Sequence, residues 1–431
     1  MSVSFEPGVT VLLGRNGQGK TNLVEALNYV ATLGSHRVAT DAPLVRTGCS
    51  QALVQVGVRE SAESDRTTKV EFTISGSRSS VATVNGNKVT RTREVLGLLR
   101  TVLFCPEDLA LVKGDPGERR RFVDELLIAR YPRYAAVLAD YSRVLRQRSS
   151  LLKSAAAVAR RGEARESLYS TLDVWDDQFA TLGARLVAGR LNSIDALRSP
   201  AIARHDWLAG GFQELHLSYA ASSPNLAALL SPGGTPNEAD VEDALRADLA
   251  QRRDDEIRRG VTLVGPQRDD IFIGLGGTPA KGYASHGESW SIALALRLAS
   301  FDLLREQFGN DPVLLLDDVF AELDSARRGY LTEAVRAVEQ VIITAAVRED
   351  VPEELATRCI EISRAGNEPD AGAHPATDAT QVFDTKTSTA GATQDSSPVS
   401  NGSATAITAR QAIGATDHDR SSIDSPNESQ I

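Results

Sequence analysis

The sequence predicts an α/β protein whose α/β unit is interrupted by a long helical segment. Short apolar runs at residues 9–13, 313–316 and 341–344 are typical of buried strands. An apolar–polar alternation over residues 54–84 is typical of a sheet with one buried face. Heptad spacing over residues 134–186 favours long helices between these two strand-rich portions.

The N-terminal portion is predicted to contain several strands and one helix. The run at residues 9–13 ends at Gly14, and helical spacing follows over residues 22–31. The alternating block is expected to form an antiparallel sheet with strands at residues 54–58, 70–74 and 81–84. Asn85-Gly86 favours a tight turn after them, and residues 101–105 form the next predicted strand.

Two heptad patterns flank the sequence Arg160-Arg161-Gly162. The first consists of Tyr134, Leu138, Tyr141, Leu145, Arg148 and Leu152, and the second of Leu168, Leu172, Trp175, Phe179, Leu182 and Leu186. Because a glycine-containing turn separates two stripes of equal length, we predict an antiparallel helical hairpin whose stripes face each other. Two helices of an ordinary helical lobe are the alternative.

The α/β pattern resumes after a Pro-, Gly- and Ser-rich stretch at residues 222–237 and a helix that ends near residue 259. The predicted elements are strands at residues 261–264, 271–273, 313–316 and 341–344 and helices at residues 291–305 and 325–338. Four regions follow: the first half of an α/β lobe (1–112), an inserted helical lobe (113–259), the second half (260–364) and a tail (365–431).

Charge is distributed unevenly along a chain whose net charge is −10. Residues 365–431 contain nine acids and three bases, and their polar composition without apolar periodicity predicts a disordered tail. Residues 117–165 contain twelve bases and five acids, a local net charge of +7. An acidic protein with one basic segment can still bind a polyanion locally.

Composition excludes several classes of protein. No apolar run approaches the roughly 20 residues that span a bilayer, so an integral membrane protein is excluded. The first eight residues lack a signal-peptide pattern, and secretion is not expected. Cys49, Cys105 and Cys359 lie far apart and have neither metal-ligand nor disulfide-framework spacing, which fits a reducing cytoplasm.

Residues 14–21 fit the phosphate-binding pattern G-x-x-x-x-G-K-[ST]; they are Gly14, Arg15, Asn16, Gly17, Gln18, Gly19, Lys20 and Thr21. The glycines let backbone N–H groups point into one concavity that receives phosphate oxygens. Lys20 can reach the β- and γ-phosphates, and the Thr21 hydroxyl can ligate Mg²⁺. An ordinary strand–loop–helix turn is the alternative, but the preceding strand and following helix favour nucleotide binding.

Asp317 and Asp318 follow the apolar run 313–316, at the end of a strand where ligands bind in such sheets. One carboxylate can hold Mg²⁺, and the next can orient or deprotonate an attacking water. Acids that cap a loop are the alternative. Together with the phosphate-binding loop, the pair indicates nucleoside triphosphate hydrolysis.

Ser285-His286-Gly287-Glu288-Ser289 lies just before the helix predicted from residue 291. Small polar residues and a glycine at a helix start can bind anions through backbone N–H groups. On physical grounds alone, plain helix capping by Ser285 is the better interpretation.

Several motifs together resemble the RecF family of bacterial recombination mediators, within the ABC/SMC-like ATPase class. They are GRNGQGKTN (14–22), GSHR (34–37), PEDLALVKGDP (106–116), RRRF (119–122), GPQRDD (265–270), SHGES (285–289) and LLLDDVFAELD (314–324). The resemblance covers residues 3–364 and implies a P-loop ATPase head with an antiparallel β subdomain and an inserted α-helical arm lobe.

The resemblance also implies site residues, cofactors and partners. Ser285, Gly287 and Glu288 would be a signature motif acting in trans on the ATP site of a second protomer, and Asp324 would belong to the D-loop. ATP and Mg²⁺ would be the cofactors, with Thr21 and Asp317 as metal ligands and Asp318 as the catalytic acid. The implied partners are DNA, as duplex and at single-strand gap junctions, a second copy, RecR and RecO.

The implied function is ATP-dependent DNA binding in gap repair, with weak ATP hydrolysis as a switch and RecA loading as the outcome. The ATPase subunit of an ABC-type transporter is one alternative, but the heptad-patterned insertion and the missing L-S-G-G-Q motif disfavour it. A small-molecule kinase is a second alternative, and it has no need of residues 285–289.

The basic segment at residues 117–165 supplies the predicted DNA contacts. The candidates are Arg119 and Arg120 at the base of the helical arm and Arg160 and Arg161 at its tip. Solvated helix faces are the alternative for these arginines.

Overall fold

The structure is a computed structural model that describes residues 2–59, 66–76, 78–161, 166–211, 213–230, 236–363 and 407–412. Within these ranges, residues 158–161, 166–169 and 407–412 are described by their backbone alone. None of the helices in the described part of the chain combines the length and apolar character that crossing a membrane requires.

The strands are β1 (Ser2–Phe5), β2 (Gly8–Leu13), β3 (Gln51–Arg59), β4 (Thr67–Ser75), β5 (Val81–Val84), β6 (Asn87–Lys88), β7 (Thr101–Phe104), β8 (Leu215–Ala220), β9 (Asp270–Leu275), β10 (Thr278–Pro279), β11 (Val313–Asp317), β12 (Gln340–Ala345), β13 (Cys359–Glu361) and β14 (Ile407–Ala412). The helices are α1 (Lys20–Thr32), α2 (Ala110–Lys113), α3 (Pro116–Arg130), α4 (Tyr134–Arg161), α5 (Glu166–Ala209), α6 (Pro224–Leu229), α7 (Glu238–Arg259), α8 (Ala280–Tyr283), α9 (His286–Phe308) and α10 (Ser325–Arg336).

A five-stranded parallel sheet in the order β13–β2–β12–β11–β7 forms the centre of the molecule. Every residue of β11 and β12 is buried, which explains why these strands are continuous apolar runs. The predictions of strands at residues 9–13, 101–105, 313–316 and 341–344 are confirmed. Because the strands are parallel, the carboxyl ends of β2 and β11 lie at the same edge of the sheet.

Alternate residues of the parallel sheet belong to two separate apolar clusters. Val11, Leu314 and Ile343 join the cluster that contains most of α9. Their neighbours Leu12 and Leu315 join the cluster formed with α1 and with strands β3 and β4. The sheet is therefore the middle layer, with α1 and a second sheet on one side and α9 on the other.

The second sheet is antiparallel, as predicted, and its order is β1–β14–β3–β4–β5–β6. The tight turn predicted at Asn85-Gly86 is confirmed, because both residues adopt positive φ angles, 51° and 81°, between β5 and β6.

The strand β14 comes from the tail and lies between β1 and β3. It pairs antiparallel with both, from Phe5↔Ile407 on one side to Leu53↔Ala412 on the other. The prediction of a disordered tail is therefore wrong for Ile407–Ala412. The backbones of β1 and β3 form hydrogen bonds with this segment on both sides, and composition does not reveal such pairing. The rest of the tail, residues 365–406 and 413–431, lies outside the described residues.

A small third sheet has the order β10–β9–β8, and β9 confirms the strand predicted at residues 271–273. The prediction of a strand at residues 261–264 is wrong, because backbone groups of this segment form hydrogen bonds with side chains. Glu256 Oε1 accepts the Leu263 N–H at 2.6 Å, and Arg268 Nε donates to the Thr262 carbonyl at 2.5 Å.

The helical lobe contains the predicted hairpin, since α4 and α5 pack against each other with a reversal between them. Its turn at residues 162–165 lies outside the described residues. Two features go beyond the prediction: α7 packs against both helices, and the 44-residue α5 continues until it packs along α9. The division of the chain at residues 112, 259 and 364 stays a prediction.

Candidate functional site

The loop at residues 14–19 connects β2 to α1 at the carboxyl edge of the parallel sheet. Gly14 has a φ of 154°, and a methyl group there would collide with the Ile362 carbonyl oxygen. Gly19 has a φ of 107° and caps the start of α1. Only glycine meets both demands without strain, so the loop keeps the tight curvature that phosphate binding requires.

Lys20 is the first residue of α1, and its side chain folds back over the loop. Its Nζ donates to the Gly14 carbonyl at 2.5 Å and to the Arg15 carbonyl at 3.4 Å, and the residue is buried. Arg15, Asn16 and Gly17 are exposed around it, and Gln18 is half-buried. A buried ammonium that donates to carbonyls can exchange them for phosphate oxygens, which carry a full charge.

Thr21 and Asp317 meet across the sheet edge, although 296 residues separate them. Thr21 Oγ1 donates to Asp317 Oδ1 at 3.2 Å, and Thr344 Oγ1 donates to the same oxygen at 2.6 Å. Burial raises the pKa of Asp317 above its usual value, against the lowering effect of these two hydroxyls. A buried carboxylate beside a hydroxyl is a hard-oxygen donor set, so these residues fit Mg²⁺.

Asp318 is half-buried and has a φ of 57°, in the left-handed region that a non-glycine residue rarely adopts. Its backbone N–H donates to Thr344 Oγ1 at 2.9 Å. Strain of this kind is found where the surrounding structure holds a residue for function.

Thr344 and His36 are site residues that the sequence analysis missed. Thr344 ends an apolar strand and looks like a core position in sequence. In the described part of the chain both ring nitrogens of His36 are buried and unpaired. Burial lowers the pKa of His36, although the nearby carboxylates of Glu25, Asp317 and Glu107 raise it. The only sequence signal for His36 was its place in the GSHR motif.

Ser285 caps α9, which is the role that physical reasoning from the sequence favours. Its Oγ accepts the Glu288 N–H at 3.2 Å, and its own N–H donates to Glu288 Oε2 at 2.7 Å. The Ser285 N–H lowers the pKa of the Glu288 carboxyl. Ser285 is also exposed, so capping leaves its outer surface accessible to a partner.

Asp324 caps α10 by accepting the Arg327 N–H at 2.9 Å and forms an ion pair with the same arginine. Arg327 Nε also donates to Ser291 Oγ in α9 at 2.9 Å, and its guanidinium lies against Gly287. The D-loop candidate and the signature candidate are therefore joined by one side chain. Nothing in the local sequence pattern indicated Arg327.

A second arginine ties α9 to the sheet edge. Arg297 donates to Asp108 Oδ1 at 2.6 Å, and the other Asp108 oxygen accepts the Cys105 N–H at 3.0 Å. Asp108 and the exposed Glu107 belong to the turn that follows β7. The helix that begins at the signature candidate thus has a charged connection to the turn that follows β7.

The structure corrects one of the predicted DNA contacts. Arg119 is buried and binds both carboxylate oxygens of Asp270, at 2.7 and 2.9 Å. It is unavailable to DNA, and that prediction is wrong. Arg120 is half-buried and donates to the Asp269 carbonyl at 2.6 Å. The side chains of Arg160 and Arg161 lie outside the described residues.

The glycine-rich loop, Lys20 and two acids lie at one edge of the parallel sheet. This arrangement places the protein in the ABC/SMC-like class of P-loop ATPases. Residues 1–368 match the family model described as RecF/RecN/SMC N terminal domain. The chain belongs to the RecF family of DNA replication and repair proteins.

Two relatives carry the description "DNA replication and repair protein RecF". The protein from Kineococcus radiotolerans is 54% identical over 362 residues, which cover 82% of this chain and 91% of the relative. The protein from Streptomyces avermitilis is 55% identical over 360 residues, covering 83% and 92%.

A solved structure of "the recombination mediator protein RecF-ATPrS in RecFOR pathway" is similar over most of the chain. Its TM-score is 0.73 at 30% sequence identity, and the match covers 84% of this chain and 91% of that one. The fold and the family that the sequence motifs predict are confirmed.

Proposed function

We propose that this protein is an ATP-switched DNA-binding protein of recombinational gap repair and replication-fork maintenance. It binds ATP and DNA as an ATP-induced dimer and helps to load RecA on single-stranded DNA in the cytoplasm. The observation that carries the proposal is the Thr21–Asp317 hydrogen bond, which brings the phosphate-binding loop and the metal-binding acid together.

Each ATP site of the proposed dimer is composite. Lys20, Thr21, Asp317 and Asp318 come from one copy, and Ser285, Gly287 and Glu288 come from the other. Lys20 holds the phosphates, Thr21 and Asp317 hold Mg²⁺, and Asp318 orients the attacking water. Bound Mg²⁺ supplies charge stabilisation at the phosphates. The exposure of Ser285 supports a role across an interface, since a buried serine could not reach a partner.

ATP hydrolysis is proposed to be slow and to act as a switch. ATP favours the closed dimer because its γ-phosphate contacts both copies, and loss of that phosphate removes the differential contact. In the closed dimer, the contacts from Asp324 through Arg327 to α9 would connect the D-loop candidate with the signature candidate.

The DNA surface is proposed to lie on the arm. Arg143 and Arg146 are exposed on α4, and Arg143 forms a surface ion pair with Asp140. Together with Arg120, Arg160 and Arg161 they provide phosphate contacts that carry no sequence preference. RecO and RecR are the proposed partners, since the similar solved structure is described within the RecFOR pathway.

Sedimentation velocity tests the proposal. The wild-type protein is run without nucleotide, with ADP and with ATP, each with and without a labelled gapped duplex. We expect a dimer with ATP alone and co-sedimenting DNA with that dimer. A monomer in every condition, or equal DNA binding with ADP and ATP, contradicts the proposal.

A salt titration separates the DNA surface from the nucleotide site. Replacing Arg143 and Arg146 together by alanine should weaken duplex binding and reduce the slope of log affinity against log salt by about one per lost phosphate contact. The pair Arg160→Ala and Arg161→Ala should do the same. An unchanged slope in both double variants removes the arm as the DNA surface.

A further inference from the structure

Two exposed basic side chains meet beside the signature candidate. Lys113 ends α2, His286 begins α9, and Lys113 Nζ lies 3.3 Å from His286 Nδ1. The two residues are 173 positions apart in sequence, so packing of the two helices brings them together. The residue before His286 is Ser285.

The hydrogen bonding of His286 is fixed by Trp290. Trp290 Nε1 lies 3.1 Å from His286 Nε2, and the indole is buried in the main apolar cluster. An indole N–H can only donate, so His286 Nε2 must accept. A neutral imidazole that accepts at Nε2 carries its proton at Nδ1.

It follows that His286 Nδ1–H and the Lys113 ammonium are both donors. An ammonium has three donors and accepts nothing, so these two groups cannot satisfy each other. Within the described residues, this contact is the one that the structure gives to the Lys113 Nζ and to the His286 Nδ1 atoms. Two converging donors at a solvent-exposed position need an acceptor from outside, and an anion with several oxygens suits both.

We propose that Lys113 and His286 bind the terminal phosphate of ATP held in the phosphate-binding loop of a second copy. The inference rests on the proposed ATP-induced dimer, in which Ser285 faces that nucleotide. The Lys113 ammonium then contacts the terminal phosphate of ATP, which ADP lacks. The pair makes dimer formation selective for the triphosphate.

Two variants test the pair and leave the fold intact. Lys113→Met removes the ammonium from an exposed side chain. His286→Gln keeps an acceptor for the Trp290 N–H and removes the donor at Nδ1. Lys281→Met is the matched control, because Lys281 is also exposed near this surface and forms a 3.5 Å surface contact with Asp115.

Each variant is measured by fluorescent-ATP binding to the monomer and by sedimentation with ATP. We expect wild-type nucleotide affinity in all three, with dimerisation about tenfold or more weaker for Lys113→Met and for His286→Gln. Lys281→Met should dimerise as the wild type does.

A mixture shows whether the pair acts across the interface. Lys20→Ala cannot hold ATP but keeps the pair, whereas Lys113→Met holds ATP but lacks the lysine. Neither should dimerise alone with ATP, and the mixture should recover dimers because one composite site is complete. A pair that acts within its own chain gives no recovery, and that result overturns the inference.

The inference and the proposed function fail differently. If the wild type dimerises with ATP and both variants match it, the inference falls and the proposed function stands. If the wild type never dimerises with ATP, both fall. Loss of monomer ATP affinity in Lys113→Met also overturns the inference, because the lysine then serves its own chain's nucleotide.

Discussion

The phosphate-binding loop and the basic segment at residues 117–165 are both charged regions that the sequence singles out, and they use their charges in opposite ways. Within the part of the chain that the structure describes, Lys20 Nζ is held by two loop carbonyls and can turn to a ligand. Arg119 and Arg148 are fixed in internal ion pairs with Asp270, and with Asp176 and Glu256, respectively. The lysine of the loop is available to a ligand, whereas these two arginines of the basic segment stabilise the fold.

These two regions differ in how much a local sequence pattern can predict. A phosphate-binding loop specifies backbone shape and the position of one charge, so its function follows from local sequence. A count of basic residues says nothing about their partners. The acids that bind Arg148 lie 28 and 108 positions away, and the acid that binds Arg119 lies 151 positions away.

Lys20→Ala should have the largest effect and should weaken ATP binding by roughly a hundredfold, since it removes a charge-assisted contact to phosphate. Equilibrium titration with a fluorescent ATP analogue measures this. Lys88→Ala, at an exposed lysine in β6, should bind ATP normally. Wild-type affinity in the Lys20 variant would place the nucleotide elsewhere.

Arg148→Met should lower the free energy of unfolding by about 3–5 kcal/mol, because it removes the cation that pairs with the buried carboxylate of Glu256 and leaves Asp176 with Arg253 as its partner. Urea denaturation followed by circular dichroism measures the change. Arg143→Met on the same helix breaks an exposed pair with Asp140 and should cost less than about 1 kcal/mol. Equal effects of the two variants would mean that burial does not distinguish these arginines.

Arg119→Met should destabilise the fold by about 3 kcal/mol, through the loss of its two-point contact with Asp270. The salt dependence of DNA binding should stay unchanged in the folded variant. The same denaturation and a duplex titration across salt decide this. A reduced salt slope would return Arg119 to the DNA surface.

Deleting residues 400–431 should have the smallest effect of this series, a loss of about 2 kcal/mol in unfolding free energy. The deletion removes β14 and its backbone hydrogen bonds to β1 and β3. Amide hydrogen exchange should rise in β1 and β3, while ATP affinity is retained. Unchanged exchange in those strands would show that the tail does not occupy the sheet in solution.

Most of the nucleotide site could be predicted from sequence, and the contacts that connect it to the rest could not. The loop, the parallel strands and the two acids each carry a local pattern with a mechanism. Thr344 reads as core because it ends an apolar strand, and its hydroxyl finds Asp317 only through strand pairing. Arg297 and Arg327 act across helices, so their partners depend on packing. The strand β14 forms by pairing with β1 and β3, and the composition of the tail does not show this pairing.

Asp318 is the acid that we propose to act on the attacking water and not on ATP binding. Turnover of ATP by Asp318→Asn, measured beside its sedimentation, tests the claim most directly. We predict hydrolysis slowed by about a hundredfold, with bound ATP and a persistent dimer. Hydrolysis at the wild-type rate, or loss of ATP binding, would contradict the account.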